Sequence, residues 1–228
     1  MKLSVIISVY NEKNFIAEIL KRVEQVPVDK EIIVIDDGST DGTKEILEKL
    51  QMFNVTVLYN SVNHGKGYSI RKGLEQIKGD IVLIQDADLE YDPDDYQKLI
   101  EPIISGKAAV VYGSRALSGY TLRSDLFNPF CWGRWLLSFL TNVLYGANIT
   151  DEPCGYKVFK TEVIKGIPLV CERFEFCPEV TAKVLRRGYK IYEVPACYNP
   201  RSFKEGKKIS WRDGLEAIIT LFKYRWWK

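Results

Sequence analysis

The stretch IVLIQDADLE, residues 81–90, runs four apolar residues into two aspartates set one residue apart. Side chains on an extended strand repeat every two residues, so Asp86 and Asp88 leave the strand end on the same side. Two carboxylates held that close repel each other and favour a cation. Oxygen-only ligands suit Mg2+ or Mn2+, and such sites usually also take substrate phosphates. Glu90 extends the same row, which makes Asp86, Asp88 and Glu90 the candidate metal ligands. The competing reading is a set of solvated turn acids beside Pro93 and the acidic run 92–95.

The elements that would carry this row form a regular series. Short apolar, β-branched runs at 3–9, 31–36, 55–59, 80–85 and 109–113 predict strands. Helical patterns at 14–25, 41–52, 66–78 and 94–105 separate them. Ile16, Ile19, Leu20 and Val23 follow the i, i+3, i+4, i+7 spacing of one helical face, and Asp41 is placed to cap the second helix. Runs apolar on both faces, alternating with helices, imply a mostly parallel sheet covered on both sides. Ligands of such sheets sit beyond the carboxyl ends of the strands. Polar clusters stand at those ends: Tyr10-Asn11-Glu12, Asp36-Asp37-Gly38-Ser39, Asp86-Ala87-Asp88 and Gly113-Ser114-Arg115.

Composition narrows the class. The chain has 228 residues, 46% of them apolar, enough for a sizeable core. A net charge of +2 argues against a general nucleic-acid binder, although acids gather in 80–101 and bases in 201–228. Five cysteines form no CxxC pair, which favours reduced thiols in a cytosolic setting over a disulfide frame or zinc site. The lone His64 leaves no partner for a His-based triad. The first residues run straight into a strand pattern, so no secretory signal is expected.

The second half reads differently. Residues 126–147 are rich in aromatics and carry only Arg134 as a charge. A spanning helix needs about 20 continuous apolar residues, and Pro129, Gly133, Arg134 and Asn142 interrupt this run. An interfacial helix fits, with Trp132 and Trp135 at headgroup depth; a buried core helix is the alternative. Residues 211–228 give a second amphipathic pattern ending in bases and Trp226-Trp227. The expected organisation is one continuous domain with an α/β half, 1–115, and a second half, 116–228, that carries these two segments.

Four further features bear on chemistry. Asp37 lies in a βα turn, where its carboxylate can accept hydrogen bonds from a base or ribose. The glycine-rich loop NHGKG, 63–67, lacks P-loop spacing, yet a backbone nest with Lys66 can meet phosphate or sugar; a plain turn accounts for it equally. Arg115 suits bidentate phosphate contact. The basic stretch PRSFKEGKKIS, with Arg201, Lys204, Lys207 and Lys208, reads as a solvated loop or as a lid over a pyrophosphate. Glu179 in FEFCPE is the best base for a hydroxyl acceptor, or else a helix-start carboxylate favoured by the dipole.

These segments together resemble family 2 glycosyltransferases of the GT-A fold, over nearly the whole chain. The ordered set is VYNE (9–12), VIDDGSTDGT (34–43), NHGKG (63–67), DADLEYDP (86–93), GSR (113–115), EPCGYKVFK (152–160), RFEFCPEVTAKVLRRGY (173–189) and PRSFKEGKKISWRDG (200–214). The last three are most similar to polyprenyl-phosphate hexosyltransferases such as dolichyl-phosphate mannose synthase. The resemblance implies that Tyr10, Glu12, Ile35 and Asp37 hold the nucleoside. It implies that Asp86 and Ala87 contact ribose and phosphate, and that Asp88 and Glu90 hold the metal. Arg115, Arg201 and Lys207 would meet phosphates of donor or acceptor. Two departures stand out: Ser8 where the family often has Pro, and Glu90 where it often has Gln.

The implied reaction is metal-dependent, inverting transfer of a hexose from a nucleotide sugar of the GDP-mannose or UDP-glucose type to a polyprenyl phosphate, with 1–115 as the nucleotide-sugar-binding half and 116–228 as the acceptor-binding half of one catalytic domain. The expected setting is peripheral, on the cytoplasmic membrane face. Mannose synthases of this type can carry further membrane helices, so a separate membrane subunit enters as a partner. Three alternatives remain open here: transfer to a hydroxyl acceptor in glycan synthesis, an Asp-nucleophile phosphatase, and a non-catalytic membrane-associated subunit.

Overall fold

The computed structural model describes residues 1–119, 129–201, 206, 208 and 210–226. Its centre is a seven-stranded sheet. The first half supplies β1 (Leu3–Val9), β2 (Lys30–Asp36), β3 (Val55–Tyr59), β4 (Ile81–Asp86) and β5 (Val110–Ser114). Between them lie α1 (Ile16–Gln25), α2 (Thr43–Lys49), α3 (Lys66–Leu74) and α4 (Tyr96–Ile104). The second half adds α5 (Pro129–Tyr145), β6 (Lys157–Lys160), α6 (Thr161–Lys165), α7 (Phe176–Arg186), β7 (Ile191–Pro195) and α8 (Trp211–Trp226).

The strand order is β3-β2-β1-β4-β6-β5-β7. All neighbours run parallel except β6, which is antiparallel to both β4 and β5. The two sheet faces build two cores. On one, Val5, Ile7, Val34 and Leu83 meet the buried stripe Ile16, Ile19, Leu20 and Val23 of α1, with Leu99 of α4. On the other, Ile6, Ile33, Ile35 and Ile84 meet Ile70 of α3 and Val180 and Val184 of α7. Because every central strand is covered twice, its residues are apolar at consecutive positions instead of alternating.

The predicted strands and helices stand where the sequence pattern puts them, with ends shifted. Asp41 does not occupy the residue before α2; Gly42 does, at φ +105°. Asp41 instead caps from one position further out, accepting the Thr43 N–H at 3.0 Å and the Thr43 hydroxyl at 2.6 Å. A 3-10 turn at Pro93–Asp95 precedes α4, and Asp92 accepts the Asp94 N–H at 3.1 Å.

The sequence pattern does not reveal β6, which separates β4 from β5. Its tetrapeptide KVFK is short and bounded by lysines. Lys157 is nonetheless fully buried: its ammonium donates to the Glu152 carbonyl at 2.7 Å and lies 3.7 Å from the Tyr112 ring centroid. A long stem and a satisfied head let a lysine stand in a core strand.

α5 and α8 pack together through Leu137, Ala217 and Leu221, and the Tyr145 hydroxyl donates to the Leu221 carbonyl at 2.5 Å. Among the described residues no helix is long and apolar enough to cross a membrane.

Gln85, buried in β4 beside the site aspartates, ties three elements together. Its Oε1 accepts both the Tyr96 and the Tyr156 hydroxyls at 2.9 Å, and its Nε2 donates to the Asp86 carbonyl at 3.0 Å. Gln85→Leu leaves two buried hydroxyls without an acceptor. Urea denaturation of that variant is expected to show a loss of about 3 kcal/mol; a loss below about 0.5 kcal/mol would show the triad to be dispensable.

Candidate active site

The carboxyl ends of β1, β2 and β4 lie side by side in register, Val9 opposite Asp36 and Ser8 opposite Asp86. The chain turns sharply at two of them. Asn11 and Leu89 are the non-glycine residues at positive φ among those described, at 51° and 61°. Side-chain bonds lace the first two turns: the Asn11 N–H donates to Ser39 Oγ, the Thr40 N–H to Asn11 Oδ1, and the Glu12 N–H to Thr43 Oγ1. The Glu12 carboxylate is thereby brought under the β4 end.

Asp37 is buried and spent on the chain itself. Its carboxylate accepts the Asn60 amide at 2.7 Å and the Gly65 N–H at 2.6 Å, with the His64 N–H at 3.1 Å. The glycine-rich loop is thus pinned to the β2 end. Gly65, at φ +104°, sits where a Cβ would strike the Glu172 carbonyl, so the turn admits no side chain. Asp37 therefore shapes this turn rather than offering an open acceptor. Its neighbour Asp36, absent from the sequence-derived site, keeps Oδ1 without a hydrogen-bond partner, and burial pushes its carboxyl upward. Both aspartates are buried alike, and nothing in the sequence separates them; the fold does, by giving the Asp37 oxygens donors and leaving Asp36 Oδ1 with none. The side chains of Ile35 and Ala87 lie in the core, so any ligand contact from either falls to the backbone.

The expected three-carboxylate metal row is not assembled. Among the described residues no three His, Cys, Asp or Glu side chains converge as a metal cage. Asp86 is ion-paired with Lys66, the lysine of the glycine-rich loop. Asp88 Oδ2 lies 3.0 Å from Arg201 Nη2. Glu90 accepts the Tyr198 hydroxyl and the Arg201 N–H, both at 2.9 Å. Arg201 also forks onto Glu12, at 2.9 and 3.2 Å, and Lys208 reaches both Glu12 and the Tyr10 carbonyl. Lys207, Lys204 and Trp227 lie outside the described residues.

The electrostatics follow from this crowding. Burial, then Asp86 and Glu90, push the Asp88 carboxyl up to about 7. Three lysine and arginine side chains drawn from distant sequence do not fully offset the acids at this edge. An oxygen-ligated divalent cation that also takes ligand phosphates fits such a donor set, and Asp86 and Asp88 are the residues that would hold it. Gly155 keeps room for them: a Cβ there would collide with Asp86 Oδ2.

Two further sequence-derived site residues, Arg115 and Glu179, are held by buried partners. Arg115 forks onto the fully buried Asp151, Nε to Oδ2 and Nη2 to Oδ1 at 2.7 Å each, and lies 4.9 Å from the Tyr198 ring centroid. It braces the wall of the site. Glu179, read from sequence as a base or as a helix-start carboxylate, stands in the first turn of α7, fully buried and saturated. It accepts the Val170 and Cys171 N–H groups, the Tyr224 hydroxyl and the Lys183 ammonium. Burial alone would raise its carboxyl, but these bonds hold it below the ordinary carboxylate range. A carboxylate so placed cannot collect an acceptor proton, and it anchors α7 to α8 instead.

Residues 4–167 match the description "Glycosyl transferase family 2". A low-salt glycan biosynthesis hexosyltransferase of Haloferax volcanii is 31% identical over 221 residues, 95% of this chain and 52% of that protein. An undecaprenyl-phosphate 4-deoxy-4-formamido-L-arabinose transferase of Edwardsiella ictaluri is 32% identical, covering 96% of this chain and 65% of its own length. The chain thus spans between half and two thirds of these two relatives. A polyprenol monophosphomannose synthase of Mycolicibacterium smegmatis is 28% identical, over 98% of this chain and 85% of that one. Among solved structures, glucosyl-3-phosphoglycerate synthase from Mycobacterium tuberculosis, determined with Mn2+, UDP and phosphoglyceric acid, superposes with a TM-score of 0.73. It is 20% identical and covers 99% of this chain and 78% of its own. The fold is of the GT-A type.

The Arg115–Asp151 pair makes a prediction about stability. Removing one partner of a buried ion pair costs about 3–5 kcal/mol, so Arg115→Gln should lower stability by that order at neutral pH. Burial pushes the Asp151 carboxyl up, but Arg115 outweighs it and holds the group below its ordinary range. A depressed folded value stabilises above the unfolded one and is lost as pH falls through it. The gap between wild type and Arg115→Gln should therefore close in acid, as read by denaturation at a series of pH values. A gap independent of pH would remove the ion pair as its cause.

Proposed function

This chain belongs to glycosyl transferase family 2, and on that premise we propose that it transfers a hexose from a nucleotide sugar to a polyprenyl phosphate at a membrane surface. The observation that carries the reading is the continuity of the charged site with two outward apolar stripes. Lys208, on the Glu12 carboxylate, stands three positions before α8. α8 exposes Trp211, Leu215, Ile219, Phe222 and Trp226 along one side. α5 exposes Trp132, Trp135, Leu136, Phe139 and Val143, and is tied to the site wall where Ser138 accepts the Glu152 N–H. Trp132 and Trp135 are each 58% exposed and Trp211 73%, and large apolar surface left in solvent marks a protein or membrane contact.

An acceptor phosphate sits at headgroup level and its prenyl tail stays in lipid, so the site must come to the surface. Aromatic stripes flanked by Arg212, Lys223 and Arg225 suit insertion beside anionic headgroups. A phosphate acceptor is already anionic near neutral pH, its second pKa being about 6. It needs alignment rather than a base, and the saturation of Glu179 disfavours a hydroxyl acceptor that relies on that residue.

In the proposed step an acceptor phosphate oxygen bonds to the anomeric carbon as the bond from that carbon to the donor diphosphate breaks. The electron pair leaves with the diphosphate, and the configuration inverts. In this reading Arg201 and Lys208, which pair with the site acids, offset the charge on the departing diphosphate. Lys66 holds Asp86 in orientation, and Arg115 with Asp151 fixes the wall. A divalent ion held by Asp86 and Asp88 would add Lewis-acid stabilisation of the leaving group.

Two measurements test the reading. Purified protein should transfer from a panel of nucleotide sugars to polyprenyl phosphate in liposomes with Mn2+ or Mg2+, and Asp88→Asn should cut the rate by about 100-fold or more. Transfer only to water-soluble hydroxyl acceptors would overturn it. In flotation with anionic liposomes at low salt, Trp135→Ala with Trp226→Ala should move protein from the lipid to the soluble fraction. Undiminished flotation would remove the stripes from the membrane role.

A further inference from the structure

Glu90 is the site residue whose surroundings fit its expected role least. All the polar atoms it presents beyond its N–H face the segment 197–201. Oε2 accepts the Tyr198 hydroxyl at 2.9 Å, Oε1 accepts the Arg201 N–H at 2.9 Å, and the carbonyl accepts the Asn199 N–H at 2.8 Å. The neighbouring residues continue the fastening. Tyr91 bridges Tyr198 in antiparallel fashion with ring centroids 5.1 Å apart, and the Cys197 N–H donates to Asp95 Oδ2 at 2.6 Å. The N–H groups of 197, 199 and 201 are thus all held by the segment 90–95, at alternate positions of an extended strap.

The far end of the strap is Arg201, whose guanidinium bridges Glu12 and Asp88. We propose that Glu90 is a positioning residue, the fastening point that delivers Arg201 to the site, and is not a metal ligand. The chemistry of the side chain supports this. The O–H and the N–H arrive at different oxygens of Glu90, both of which accept in a carboxylate and only one of which remains an acceptor in an amide. Glutamine would keep one oxygen and turn a donor toward the other partner. A charged acceptor also makes the stronger bond, and Leu89 at φ +61° sets the turn that aims it. The link between strap and turnover rests on the transferase reading; the fastening itself does not.

The test uses the full chain and three variants, Glu90→Ala, Glu90→Gln and Tyr198→Phe. Amide exchange at Arg201 should quicken roughly tenfold or more in Glu90→Ala, the size of one lost charge-assisted bond. It should rise less in Glu90→Gln and Tyr198→Phe. Mn2+ affinity in the presence of a nucleoside diphosphate, read by paramagnetic resonance, should stay within about twofold in all three, while turnover falls in each without a matching rise in donor KM. Glu90→Ala weakening Mn2+ binding by about tenfold or more would overturn the proposal, as would unchanged exchange at Arg201. If the wild type transfers to no polyprenyl phosphate, the function reading fails alone, and exchange and Mn2+ binding still decide the role of Glu90. Tyr198→Phe, which removes a single hydroxyl, keeps the test open should Glu90→Ala not fold.

Discussion

Repulsion among carboxylates at one sheet edge is the constraint on which the site depends. Parallel strands deliver Glu12, Asp86 and Asp88 to the same edge because β1 lies between β2 and β4 in register. Acids gathered there are costly unless cations reach them. Each cation comes from a remote part of the chain: Lys66 from the glycine-rich loop, Arg201 and Lys208 from beyond β7. The charge demand thus binds the two halves of the sequence into one site, and the residual pressure on Asp88 leaves the edge suited to a divalent ion.

The antiparallel β6 is the second organising element. Its insertion between β4 and β5 moves the Arg115 corner one strand away from the aspartates. It also carries in the segment 151–156, with Asp151 against Arg115, Gly155 against Asp86 and Tyr156 against Gln85. That segment is the wall of the site and is continuous, through Glu152 and Ser138, with α5. A single insertion therefore links the acidic edge to the helices that present apolar surface.

The two outer helices show how one pattern can serve burial and exposure together. Leu137, Ala217 and Leu221 close a small core between α5 and α8. The aromatics on their other sides remain outside, with Trp135 stacked on Phe139 and Phe222 on Trp226. Each helix thus has one buried face and one exposed apolar face.

By itself the sequence determined what is local. Hydrophobic period set the strands and helices of the first half, because double burial demands consecutive apolar residues and one-sided burial demands the helical stripe. The two-residue spacing at 86–88 placed two carboxylates at a strand end, since the pleat repeats in two. Tertiary structure decided what depends on partners distant in the chain. The position of β6 is invisible in KVFK because Lys157 finds its carbonyl and its ring only in the fold. Glu179 and Asp37 read as open carboxylates until their donors, from α8 and from the 60–65 loop, are in place. Glu90 counts as one more acid of a row in the sequence; in the fold it is held by Tyr198 and Arg201, more than a hundred residues away. A carboxylate's role follows from which donors fill its lone pairs, and those donors are set by topology rather than by spacing along the chain.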